Sequence, residues 1–152
     1  MDRKPNYLVR KAREQDIKVI VEDLAKRMVE EEYGRPELYN KDTFYNIANI
    51  AVTQGVCFVV DKEGVLVGVL LGVVGPHPFN PQISVLTELV WYVNPEDRAT
   101  RAAALLIKRY IKEGERVADE MTFSLLPTSP IKDSTMSKLG FVMKERGYLK
   151  RK

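Results

Sequence analysis

The chain is short of reactive and metal-binding side chains. It has one cysteine, Cys57, and one histidine, His77, in 152 residues. A single cysteine excludes an internal disulfide and gives no cysteine cluster for a metal. No apolar run is long enough to cross a bilayer, because Gly68 and Gly72 interrupt the most hydrophobic stretch. Met1–Pro5 has no apolar core behind it, so the chain reads as lacking a signal peptide and as cytoplasmic. Charge of one sign is also scarce. The net charge of +3 is too weak to argue for nucleic acid. Lys144, Arg146, Lys150, Arg151 and Lys152 make the end of the chain basic. A solvated tail accounts for them, and an adaptor touching nucleic acid is the weaker reading.

What is present is ordinary for a globular domain: 45% hydrophobic and 30% charged residues. Without repeats or linkers, residues 1–152 read as one domain. Tyr7 to Lys11 suits a first strand. Glu14 to Glu32 places Ile17, Ile20, Val21, Leu24, Ala25, Met28 and Val29 on one helical stripe. Gly34 and Pro36 end it. The run Glu30-Glu31-Glu32 could recruit a cation, although a solvated helix end explains it as well. Lys41 to Val52 is a second helix. Val56 to Val60 and Val65 to Val74 are strands joined by an Asp61–Gly64 hairpin. Gln82 to Val93 is a strand, Ala99 to Glu113 a helix capped by Gly114, and Glu120 to Leu126 a strand. Ser134 to Leu139 is a short helix, and Phe141 to Tyr148 is a closing strand.

At Val93-Asn94-Pro95-Glu96-Asp97-Arg98-Ala99-Thr100-Arg101-Ala102-Ala103 an apolar strand breaks at proline and a helix follows. Such a junction aims unpaired backbone N–H groups at one point, which suits a phosphate. The stretch resembles motif A of the GNAT superfamily of N-acetyltransferases, Arg/Gln-x-x-Gly-x-Gly/Ala. Arg98 and Ala103 fit its two ends, and Arg101 stands where the first glycine is expected. If the backbone there is helical, arginine fits and its guanidinium could fork a phosphate. Asp61–Gly68 looks like the family's hairpin, Glu88–Val93 like its fourth strand, and Lys138-Leu139-Gly140-Phe141 like the end of its last helix. The strand before Pro95 is also similar to small phage-encoded members.

The resemblance implies an α/β (α+β) single-domain GNAT-like fold. Its sheet would be mixed and mostly antiparallel, flanked by helices, in the order β-α-α-β-β-β-α-β-α-β. It implies an acetyl-CoA-dependent acyltransferase with a degenerate motif A, moving acetyl to a primary amine by direct attack in a ternary complex. The acceptor could be a protein, a polyamine or a small molecule. A homodimer is compatible with the chain, and neither a metal nor a membrane is called for. Arg98, Ala99, Thr100, Arg101, Ala102 and Ala103 would cradle the pyrophosphate. Val90, Trp91 and Val93 would lend backbone groups to the pantetheine arm.

Glu88 is the candidate base. A carboxylate on an apolar strand is costly unless it meets a cleft, water or a partner. Strict alternation puts it on the face of Val90 and Tyr92, with Leu89, Trp91 and Val93 opposite. His77, in a proline-stiffened loop, is a second and weaker candidate. Many family members carry a tyrosine four residues before the glycine of the last helix end, and here that position is Met136. Ser134, Ser137 and Tyr148 are alternatives that sequence does not separate. The missing acid and the displaced glycine keep a second reading in view: an inactive module on the same fold that binds acyl-CoA or a host protein.

Overall fold

A computed structural model describes residues 3–152, so the reading of Met1 and Asp2 lies outside it. Five strands form one sheet in the order β1-β2-β3-β4-β5. They are β1 (Tyr7–Lys11), β2 (Val56–Lys62), β3 (Val65–Pro76), β4 (Ser84–Val93) and β5 (Glu120–Thr122). The first three pairings are antiparallel and the β4–β5 pairing is parallel. The sheet is therefore mixed and mostly antiparallel, as expected.

Helices cover both faces. The first helical segment, α1 (residues 14–32), opens with a 3-10 turn and contains two wider π turns, Ile20–Ala25 and Met28–Glu32. Its apolar stripe buries with α2 (Lys41–Gln54) on one face of the sheet, together with Val59, Val69, Val90 and Tyr92. On the other face α3 (Arg101–Val117) packs Leu106, Ile107 and Tyr110 against Val56, Leu70, Leu86 and Val93. Both faces of β3 are thus covered, which explains its nearly continuous apolar run. No helix among the described residues is long and apolar enough to cross a membrane.

Three sequence expectations change. Gly114 does not end α3, which runs on to Val117. It is instead a contact point, since a Cβ there would stand 2.8 Å from Leu86 Cδ2. Glycine at this turn lets α3 lie close on β4. The strand expected over Glu120–Leu126 stops at Thr122. Phe123 leaves the ladder and stacks edge-on with Trp91, Tyr110 and Phe141, at 5.5, 5.4 and 5.1 Å between ring centres. The closing strand does not form either. After α4 (Asp133–Lys138) and Gly140, which takes φ +96°, residues 141–152 form neither strand nor helix. Lys144, Glu145, Arg146 and Gly147 interrupt the apolar pattern of that segment, and three-residue β5 offers little edge to pair with.

Candidate active site

The site is built by the way β4 ends. Along its first half β4 pairs with β5 from Val85↔Glu120 to Thr87↔Thr122, and then β5 stops. Among the described residues, β4 has no strand neighbour on that side from Glu88 onward. The Asn94 N–H donates to the Val67 carbonyl at 2.8 Å. Alternation from that bond turns the backbone groups of Tyr92 and Val90 toward β3 and those of Trp91 and Val93 toward the open edge. Val90, expected to lend its backbone to a ligand, is thus committed to β3, and its side chain is buried.

The opening is a cleft of about 750 Å³. Glu88, Trp91 and Val93 line it from β4, and Arg98, Ala99, Thr100 and Ala103 from the start of α3. Glu31, Glu32 and Tyr33 line it from the end of α1, and Ser124 to Ile131 from the segment after β5.

Glu88 reaches this cleft through a β-bulge. The register passes from Leu71↔Val90 to Gly72↔Glu88, so Leu89 is the extra residue. Leu89 packs on the α1–α2 side with Val90 and Tyr92, while Leu86, Trp91 and Val93 belong to the α3 side. Glu88 shares the parity of Leu86 and so faces α3, the reverse of what strict alternation gives. Its Oε1 accepts from the Ser124 N–H at 3.3 Å. Burial pushes its carboxyl up to about 7, Glu32 adds repulsion, and the Ser124 bond opposes the rise.

The turn before α3 is hooked to the far side of the sheet. The buried Asp97 accepts from Tyr7 Oη at 2.6 Å and from Lys62 Nζ at 3.0 Å, both on Oδ1. Thr100 is the N-cap: its hydroxyl accepts from the Ala103 N–H at 3.2 Å and donates to the Asp97 carbonyl at 2.7 Å. The N–H groups of Ala99, Thr100, Arg101 and Ala102 have no protein acceptor among the described residues. Arg101 starts α3 after an extended Thr100 and has no left-handed backbone. Its side chain, however, lines a separate groove with Lys4, Tyr7, Ala102 and Leu105. Arg101 and Ala102 are not among the cleft-lining residues.

Arg98 has a different engagement from the one its motif position suggests. Its Nε–H donates to the Val93 carbonyl at 2.7 Å and its Nη2 to Glu32 Oε1 at 3.0 Å. Its guanidinium lies 5.4 Å from the Tyr92 ring centre, and that of Arg27 lies 5.3 Å from it. The Tyr92 hydroxyl donates to Glu31 Oε2 at 2.5 Å. This bracket joins the end of α1 to the end of β4 and carries Glu32 and Tyr33 into the cleft. Burial raises the Glu32 carboxyl, while the Tyr92 bond leads in lowering that of Glu31.

The remaining candidates lie elsewhere. His77 sits at the loop end of β3, where its Nδ1 accepts from the Phe79 N–H at 3.0 Å. Cys57 is buried and its thiol is pushed up to about 12, so it is no nucleophile at neutral pH. Tyr148 is 90% exposed. Ser134, Met136 and Ser137 are not among the cleft-lining residues, whereas Thr135 and Leu139 are. Sequence reading missed the Ser124–Ile131 wall as part of the site, since it carries no local pattern that marks a cleft.

No protein-family model matches the chain, and no curated protein matches it. Solved structures do. Aminoglycoside N-acetyltransferase AAC(6')-Iy in complex with CoA superposes with a TM-score of 0.70 at 17% identity, over 100% of this chain and 98% of that one. A predicted acetyltransferase with acetyl-CoA from Clostridium acetobutylicum gives a TM-score of 0.75 at 17% identity, over 96% of each chain. An acetyltransferase from Trypanosoma brucei gives 0.68 at 19% identity, over 96% of this chain and 99% of that one. The fold is that of the GNAT acetyltransferases.

Proposed function

We propose that this protein transfers acetyl from acetyl-CoA to a primary amine, by direct attack while both are bound. One observation carries the reading: β4 releases β5 beside the start of α3, with Glu88 at the point of release. The open Trp91 backbone groups and the Val93 N–H can pair with the amides of a pantetheine arm, as a short added strand would; the Val93 carbonyl is taken by Arg98. The unbonded N–H groups from Ala99 to Ala102 and the positive end of α3 suit a diphosphate. Cleft-lining Ala99 and Ala103 leave room for it. Arg98 is held by Val93 and Glu32, so the backbone supplies this end of the site and Arg98 closes its side. The co-substrate brings an activated acyl carbon and a thiol leaving group.

Glu88 is the base in this reading. An alkyl ammonium titrates near ~10 and must lose a proton before its nitrogen can attack. A carboxylate whose proton affinity lies near neutrality can take that proton where a surface glutamate would hold it poorly. The amine nitrogen forms a bond to the acyl carbon, the carbon–sulfur bond breaks, and the sulfur keeps the electron pair. A thiol titrating near ~8.5 leaves without a dedicated acid, which fits Met136 in the place of a tyrosine. The acceptor enters between Glu32, Tyr33 and the Ser124–Ile131 wall. The domain reading over residues 1–152 and a homodimer remain part of this proposal, and the likeness to phage-encoded members rests on the Glu88–Val93 pattern alone.

The second reading, a module that binds acyl-CoA without turnover, is favoured by Arg98 already occupying the Val93 carbonyl. Two measurements separate the readings. At a hundredfold excess over its Kd, acetyl-CoA adds about 2.7 kcal/mol of stability and lifts Tm by about 5–10 °C. Thiol release is then followed with a panel of primary amines. A thermal shift with turnover that is lost in Glu88→Gln supports the enzyme. A shift with no turnover supports the binding module, and no shift overturns both.

A further inference from the structure

Among the described residues, three buried side-chain atoms have no hydrogen-bond partner, and one of them is the Tyr110 hydroxyl. The Tyr110 side chain is fully buried on α3 and faces the sheet. A buried hydroxyl left unpaired is destabilising, so its surroundings matter. Those surroundings are specific. Gly72 points its missing side chain at this hydroxyl, and a Cβ there would stand 2.1 Å from Tyr110 Oη. Gly72 is also the direct cross-strand partner of Glu88. Side chains of such a pair project from the same face, with Cβ positions ~4.5–5.5 Å apart. The bulge at Leu89 is what brings Glu88 onto that face. The hydroxyl thus fills the hole that Gly72 leaves beside the Glu88 side chain; burial holds the Tyr110 proton in place, and the nearby Glu88 charge adds to that.

We propose that Tyr110 is a positioning residue for Glu88, its hydroxyl donating to the ionised carboxylate directly or through one water. One carboxylate oxygen takes the Ser124 N–H, and the other is left for this second donor. The pair gives a buried carboxylate a reason to ionise near neutral pH and fixes the oxygen that meets the acceptor. Gly72 is required because any side chain there would push the hydroxyl out. The other groups facing Glu88 are Glu32 and Tyr33 from α1, Arg98 across the cleft, and the Ser124 N–H. The carboxylate of Glu32 repels and the Ser124 N–H attracts, so neither substitutes for a donor from beneath. Only the catalytic consequence of the pair rests on Glu88 being the base. The pairing itself is tested without turnover.

The experiment is a titration of the full chain labelled with 13Cζ-tyrosine. The Tyr110 resonance moves with a midpoint near 7 in wild type and stays flat in Glu88→Gln. Tyr110→Phe keeps the ring against Phe123 and raises the Glu88 midpoint, read by carboxyl 13C shifts, by about half to one unit, a three- to tenfold change in proton affinity. The acid limb of kcat/KM shifts by the same amount. A Tyr110 resonance that does not respond near pH 7, or that responds equally in Glu88→Gln, overturns the proposal and leaves the hydroxyl as packing beside the Thr87 carbonyl. If Tyr110→Phe does not fold, the wild-type and Glu88→Gln titrations decide alone. A coupled titration without acetyl transfer keeps the pair and removes the base; turnover with uncoupled titrations does the reverse.

Discussion

Replacing Glu88 with glutamine perturbs stability in a way whose sign and size follow from burial. In the folded protein the carboxyl titrates at about 7; in an unfolded chain it titrates near ~4.3. Between those values the folded state holds a proton that the unfolded state has lost. Stability therefore falls as pH rises through that window and levels off above it. A separation of about two and a half units, at about 1.4 kcal/mol each, sets an upper figure of about 3.5 kcal/mol. Some water reaches the cleft, so about 2–3 kcal/mol is expected. Glutamine has the same shape and no proton to lose. Urea denaturation of both proteins at pH 4.5 and pH 8 gives four midpoints, and the wild type minus variant difference cancels the other titrating groups. The wild type loses about 2–3 kcal/mol relative to Glu88→Gln on going to pH 8. The working form of the base is also its less stable form, so kcat/KM rises through pH 7 over the range where wild-type stability declines. A difference that stays constant between the two pH values refutes both the burial argument and the assignment of a neutral-range carboxyl to this site.

Other substitutions test the frame. Gly72→Ala puts a methyl 2.1 Å from Tyr110 Oη and 2.7 Å from the Thr87 carbonyl oxygen, and lowers stability by about 1–3 kcal/mol or more in a denaturant melt. Thr100→Ala removes the N-cap of α3, costs about 1 kcal/mol, and weakens acetyl-CoA binding in calorimetry. Asp97→Ala leaves Lys62 and Tyr7 without their buried partner, and about 3 kcal/mol of stability is lost. Arg98→Ala frees the Val93 carbonyl and unpairs Glu32; acetyl-CoA binds no more weakly than to wild type, whereas a guanidinium that held the diphosphate would cost tenfold or more.

Much of the frame was legible because long apolar periods are local. The stripe from Ile17 to Val29, the Val65–Val74 run and the Asp61–Gly64 hairpin needed no partner to declare themselves, and the hairpin tip indeed has Glu63 and Gly64 at positive φ. The junction at Pro95 was legible for the same reason. The rest depended on distant neighbours. Nothing near Leu89 announces a bulge, so Glu88 was found but assigned to the wrong face. Gly114 looks like a helix stop until Leu86 is seen beneath it. Arg101 and Arg98 share a motif, yet one side chain turns to the outer groove and the other is captured by Val93 and Glu32. The segment 141–148 carries a strand-like pattern, but β5 is too short to receive it.

The hook of Asp97 on Tyr7 and Lys62 divides the cleft into unequal halves. The half beside α3 is anchored to two strands, β1 and β2, and a drift of sequence there would shift both. The half from Ser124 to Ile131 is held by the Ser124 N–H on Glu88 at its start, and beyond that by the Ser129 N–H on the Leu126 carbonyl and the Ile131 N–H on the Ser129 hydroxyl. Selection can rewrite that loosely held rim, residue by residue, and retune what enters the cleft while the anchored side keeps its grip on whatever it holds.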